Sequence, residues 1–171
     1  NKHDAAIAGG KGASLGEMTQ AGIPVPPGFV VLASAFNYFI DKTEIKADID
    51  AVLHKVNHKE VHTVEKASEK IKGIIMAEDM PKEIAKEIID HHKKLGAQFV
   101  AVRSSATAED LPTASFAGQQ ETFLNVKGEA NLLQKVKEGY ASLFSARAIF
   151  YRHENHFDQS KVGIALPIQK M

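Results

Sequence analysis

Cysteine is absent from the sequence, which excludes a disulfide scaffold and a cysteine zinc site. An excess of one charge is also absent: Lys plus Arg number 21 and Asp plus Glu number 21. That balance argues against a nucleic-acid binder driven by a basic patch and against a polybasic membrane anchor. No apolar stretch approaches the roughly 20 residues needed to cross a bilayer. The opening Asn1-Lys2-His3-Asp4 leads into no signal-peptide core. Repeats and low-complexity tracts are missing as well. These absences predict a cytoplasmic chain with no nucleic-acid and no membrane partner.

What is present is ordinary for a globular protein, with 44% hydrophobic and 25% charged residues. The 171 residues allow one domain, in which a chain of this size hides about 70% of its unfolded surface. The chain starts at Asn1 and stops at Met171, inside the apolar run Val162–Met171 that reads as a strand. A strand gains nothing from ending a protein abruptly, so a partial N-terminal domain of a longer protein is expected.

Periodicity organises the rest. Lys11 to Ala21 reads as a helix with Gly22 as its stop. Pro24, Pro26 and Pro27 make 23–28 a stiff connector. Phe29–Leu32 reads as a short strand, and Ser34–Ile40 as a helix capped by Ser34. Amphipathic helices are expected over Glu44–Asn57, Glu60–Met76 and from Pro81 to Leu95, with Gly96 after the last. Phe99–Val102 reads as a central strand, Arg103–Gln120 as a long loop and Glu121–Val126 as a strand. One long helix is expected from Glu129 to Arg152, then the final strand, with Pro167 suggesting an edge or a bend. The pattern indicates α+β, with helices packed on a small mixed sheet.

Three segments could carry chemistry. Gly9-Gly10-Lys11-Gly12 precedes a helix, so its N–H groups and the Lys11 ammonium suit an anion. It lacks the Walker spacing, and a flexible lead-in with a solvated lysine is the alternative. Val100-Ala101-Val102-Arg103-Ser104-Ser105 puts an Arg at the C-terminal end of an apolar strand, where sheets place ligands. Its planar fork of donors suits phosphate or carboxylate; a structural pairing with Glu109 or Asp110 is the alternative. The loop Ala106 to Gln120, especially Ser115 to Thr122 with Gly118 and Gln119, reads as a lid of N–H, hydroxyl and amide donors over a polyphosphate, with a disordered surface loop as the alternative.

Val102-Arg103-Ser104-Ser105-Ala106-Thr107-Ala108-Glu109-Asp110-Leu111-Pro112 and Ser115-Phe116-Ala117-Gly118-Gln119-Gln120-Glu121-Thr122 resemble the N-terminal nucleotide-binding domain of the pyruvate phosphate dikinase family. The likeness is closest to its phosphoenolpyruvate synthase branch. Gly9–Met18, Ile23–Phe29 and Ser142–Arg152 match the family in the same order, while about Thr43 to Leu95 carries nothing diagnostic. The resemblance implies part of an ATP-grasp-type domain. It also implies ATP with Mg²⁺ as cofactors, and a reaction that turns ATP, pyruvate and water into AMP, phosphoenolpyruvate and phosphate. The phosphoryl group would pass through a histidine on a swivelling domain of the same full-length chain.

Carried over by position, Lys11 and Arg103 contact the nucleotide phosphates, with Arg103 the catalytic cation. Gly118, Gln119 and Thr122 belong to the loop that covers them. The magnesium ligands are expected beyond Met171, so no metal-binding residue is assigned here and the fragment alone is expected to be inactive. A rifampicin phosphotransferase-like kinase, sharing much the same loop, and a non-catalytic nucleotide-binding module are the alternatives.

His54, His58 and His62 are spaced four apart, which would give a metal-ligand stripe on one unbroken helix. Asn57-His58-Lys59 reads instead as a break between two helices, and Lys55, Lys59 and Glu60 make the surroundings a solvated face. Glu109 and Asp110 are expected to be structural, holding the loop or pairing with Arg103 or Arg147.

Overall fold

The computed structural model describes residues 27–108, 121–159 and 162–171. Strand β1 (Gly28–Val31) leads into α1 (Ala33–Thr43), α2 (Lys46–His54), α3 (Val61–Ala77) and α4 (Lys82–Leu95). Strands β2 (Val100–Arg103), β3 (Ser105–Ala108) and β4 (Thr122–Val126) follow, then α5 (Glu129–Ser142), α6 (Ala146–Glu154) and β5 (Val162–Lys170). The α+β expectation holds. The five-stranded sheet runs β1-β5-β2-β4, with β3 also paired to β5. Every described pairing is antiparallel, so the expected mixed sheet is, among the described residues, an antiparallel one.

The helices pack on one face of this sheet. In α5, Tyr140 is wholly buried and receives Phe36 and Phe39 of α1, with ring centroids 5.1 and 5.3 Å away. Ile71 and Ile75 of α3, Leu132 and Val136 of α5, and Leu166 and Ile168 of β5 complete the centre. Desolvation drives the Tyr140 hydroxyl pKa upward.

Several local expectations hold for identifiable reasons. Helix α4 ends at Gly96, whose φ of 65° is the left-handed stop that glycine accepts without strain. The helical run breaks between His54 and Val61. There Asn57 Oδ1 accepts the Lys59 N–H at 3.1 Å, and the Thr63 hydroxyl donates to the Asn57 carbonyl at 2.7 Å.

Others are corrected. Ser34 does not cap α1; Leu32 precedes the helix and supplies no side-chain cap. The single helix expected over 129–152 is two. Ser142 turns its hydroxyl back onto the Gly139 carbonyl at 2.6 Å, and Ser145 starts α6 by accepting the Ala148 N–H at 3.1 Å. The expected loop from Arg103 contains β3. Strand β5 is not an edge: β1 lies on one side of it and β2 and β3 on the other. No helix among the described residues is long and apolar enough to cross a membrane.

Candidate functional site

Side chains alternate between the two faces of a strand. In β5, Leu166 meets Gly139 of α5, so Ile164, Leu166 and Ile168 face the helices. Val100 and Val102 share that face through the pairing Val102↔Ile168. The other face carries Gly163, Ala165, Pro167 and Gln169 of β5 with Ala101 and Arg103 of β2. It is a lane of small side chains with few polar groups.

Two of those polar groups, Arg103 and Gln169, meet beside Thr122 of β4. Arg103 is half-buried, and its Nε–H donates to Gln169 Oε1 at 3.0 Å. Thr122 is directly opposite Arg103 across β2 and β4. The next pair along, Ser104 and Glu121, is hydrogen-bonded, with Ser104 N–H to the Glu121 carbonyl at 3.0 Å. Antiparallel ladders alternate, so Arg103 and Thr122 form a non-hydrogen-bonded pair, the closer kind, with Cα atoms about 4.5 Å apart. Arg103 makes no ion pair among the described residues. Its alternative partners Glu109 and Asp110 lie outside them.

Two features hold this corner. Ser104 is 3% exposed, and its Oγ accepts the Glu121 N–H at 2.8 Å. It pins the point where the chain re-enters the sheet beside Arg103. Across β5, the pairing passes from Val102↔Ile168 to Ser105↔Ala165 in one continuous register. Pro167 therefore stands opposite Arg103. Lys170 N–H donates to the Pro27 carbonyl and Met171 N–H to the Phe99 carbonyl, and this alternation turns the Pro167 nitrogen toward Arg103. It has no proton to give, so the ladder is interrupted where β2 gives way to β3. Glycine is required at the far edge: a Cβ on Gly28 would collide with the Ile168 carbonyl.

Of the residues expected from sequence, the structure brings Arg103 and Thr122 together. Lys11, Gly118 and Gln119 lie outside the described residues. Gln169 is the residue sequence reasoning missed. Its signal was a lone amide inside an otherwise apolar strand, visible only once β5 is paired with β2. The histidine stripe is not a stripe. His54 ends α2, His62 sits in α3 and lies 3.5 Å from Glu60, and His58 stacks on His153 with centroids 3.4 Å apart. Among the described residues no group of three or more His, Cys, Asp or Glu could hold a metal ion.

A guanidinium steadied by an amide, opposite a hydroxyl, on a face of small residues is a seat for an oxyanion. The family model described as pyruvate phosphate dikinase, AMP/ATP-binding domain, matches residues 5–171. The chain belongs to that family. The probable phosphoenolpyruvate synthase of Methanothermobacter thermautotrophicus is 49% identical over 99% of this chain and 26% of its own length. That of Methanocaldococcus jannaschii is 48% identical over 98% of this chain and 15% of its own length. The phosphoenolpyruvate synthase of Pyrococcus furiosus is 44% identical over the whole chain and 26% of its own length. The chain thus spans about a quarter or less of these relatives. In this chain Arg103, Thr122 and Gln169 share one sheet face, on which Ala101 and Ala165 are buried and Arg103 and Gln169 are half-buried.

Proposed function

We propose that this chain is the ATP-binding portion of a cytoplasmic phosphoenolpyruvate synthase, and that the face carrying Arg103 holds the nucleotide phosphates. The observation that carries the reading is the Arg103–Gln169 hydrogen bond with Thr122 alongside, in a chain of the pyruvate phosphate dikinase AMP/ATP-binding family. ATP supplies the phosphoryl groups that are transferred. Arg103 offsets the negative charge that spreads over the transferring oxygens, a role worth about 10³–10⁵ in rate for arginines so placed. Gln169 keeps the guanidinium from rotating, and the Thr122 hydroxyl donates to a phosphate oxygen.

Lys11 and the backbone N–H groups at Gly118 and Gln119 complete the proposed cradle. The domain is of the ATP-grasp type in this reading. Mg²⁺ accompanies ATP, held by carboxylates of the parent chain beyond these residues. The parent enzyme converts ATP, pyruvate and water to AMP, phosphoenolpyruvate and phosphate by way of a histidine on a swivelling domain.

Phosphorus NMR of the full-length protein with Mg-ATP and pyruvate tests this. AMP, phosphate and phosphoenolpyruvate are the expected products. Consumption of ATP only when a rifamycin is supplied would move the acceptor and leave the phosphate site standing. ATP untouched under both conditions would contradict the enzyme.

A further inference from the structure

We propose that the groove between α2 and α3 docks an acidic amphipathic helix of a partner protein. The two helices pack against each other and leave a groove of about 480 Å³. Its floor is apolar: Val52, Val56 and Ile74 are half-buried and Ala67 is buried. Its rim is cationic, formed by Lys55 just past the end of α2 and by Lys66 and Lys70 of α3. All three lysines are exposed, and none makes an ion pair among the described residues. Against them the described walls hold one acid, Asp48. His62, also at the rim, lies 3.5 Å from Glu60. Glu65 and Glu69 of α3 are not part of the walls.

Thr63, Lys66, Lys70 and Ile74 follow one another at three and four residues, so a single face of α3 lines the groove. From Thr63 to Ile74 that face runs about 16 Å, three helical turns. Over three turns a partner helix presents apolar side chains at i, i+4 and i+7, the spacing by which helices seat in grooves. Those side chains bury on Val52, Val56 and Ile74, and carboxylates flanking them meet the lysines.

Gly73 points the same way. It lies seven residues after Lys66 and three after Lys70, so it shares their side of α3. It is exposed, and a Cβ there would meet nothing within 4 Å. The fold itself therefore does not require glycine at this position, where an exposed helical glycine costs about 1 kcal/mol relative to alanine. A flat spot beside the lysines suits the close approach of a second backbone.

The same features disfavour other occupants. A second copy of the chain would set lysines against lysines across a two-fold axis. A nucleic acid would leave the apolar floor uncovered, and a flat lipid surface does not enter a groove between two helices. The groove shares no residue with the Arg103 face, so the proposal stands apart from the nucleotide reading.

The test uses full-length protein and fluorescence anisotropy. The probe is a fluorescein-labelled synthetic helix with leucines at i, i+4 and i+7 and glutamates flanking them. A second peptide carries lysine in place of each glutamate. Poly-glutamate supplies the charge without the leucines, and phosphatidylserine vesicles supply an anionic surface. Wild type should bind the acidic helix saturably, more weakly as ionic strength rises, and the three other probes at least about tenfold more weakly. The double variant Lys66→Glu, Lys70→Glu and the single variant Gly73→Trp should each weaken the acidic helix at least about tenfold, with Tm not lowered. Tryptophan at this position enters open space, so it blocks the groove and leaves the core untouched. Absence of saturable binding overturns the proposal, as does binding that Gly73→Trp leaves intact. Equal binding of poly-glutamate or of the vesicles also overturns it. Should the charge-reversed protein fail to fold, Gly73→Trp decides alone.

Discussion

Arg103 and Gln169 are joined by a hydrogen bond of 3.0 Å between residues 66 positions apart in sequence. They sit diagonally on one face, because Ala101 is the residue directly across from Gln169. The bond occupies the inner Nε–H of the guanidinium and not its terminal amino groups. Rigidity here comes from the sheet itself, which orders both side chains.

Replacing Gln169 by Glu should therefore act through Arg103. The new carboxylate neutralises the guanidinium it faces, so KM for ATP should rise about tenfold in the full-length enzyme, the effect of roughly 1.4 kcal/mol. Gln169→Ala should raise KM less, since it loosens Arg103 without cancelling its charge. Steady-state kinetics against ATP checks both, and equal, wild-type KM values would show that Gln169 holds no functional arginine.

Glycine positions separate packing from flexibility. Gly28→Ala should destabilise by about 1–3 kcal/mol, as expected for a side chain forced onto backbone, because its Cβ meets the Ile168 carbonyl. Gly73→Ala in α3 meets nothing within 4 Å and should stabilise by about 0.5–1 kcal/mol through helix propensity. Thermal melting of the two variants should shift in opposite directions.

The start of α6 depends on one hydroxyl. Ser145→Ala removes the bond from the Ala148 N–H and should cost about 1 kcal/mol. Ser145→Asp should restore most of it. Denaturant midpoints measured with both variants check the pair.

The His58–His153 stack makes stability depend on pH. The rings are 3.4 Å apart and 3° from parallel. Burial, then the charge of His153, lowers the His58 pKa below its ordinary 6.5, with Glu154 opposing. A folded-state value below the unfolded one means that the unfolded chain binds protons first. The contribution is thus complete above pH 6.5 and is lost as pH falls toward the folded-state value. Tm should drop more on acidification for wild type than for His58→Phe. Identical slopes would show that the stack carries no pH dependence.

Helices α3 and α4 were legible because their apolar residues recur at helical spacing, with Asn57 marking the break before α3 and Gly96 the end of α4. Strand β3 was not: Ser105-Ala106-Thr107-Ala108 has no bulky β-branched alternation, and it becomes a strand by pairing with β5, far away in sequence. Pro167 pointed to an edge because proline cannot donate. In the sheet it is tolerated inside β5, where the partner changes from β2 to β3. The apolar period runs unbroken from Leu132 to Phe150, so it concealed the break that Ser145 makes. The site was half visible in the same way. Arg103 and Thr122 flank recognisable local motifs, whereas Gln169 gains meaning only from strand order.

We propose that the Arg103 face handles the phosphates of ATP. It is tested most directly by single-turnover conversion of ATP to AMP, with full-length wild type and Arg103→Ala measured side by side and their melting temperatures compared. AMP formation is expected in wild type and a rate at least about 100-fold lower in the variant, with Tm unchanged. Equal rates in two equally stable proteins would contradict it.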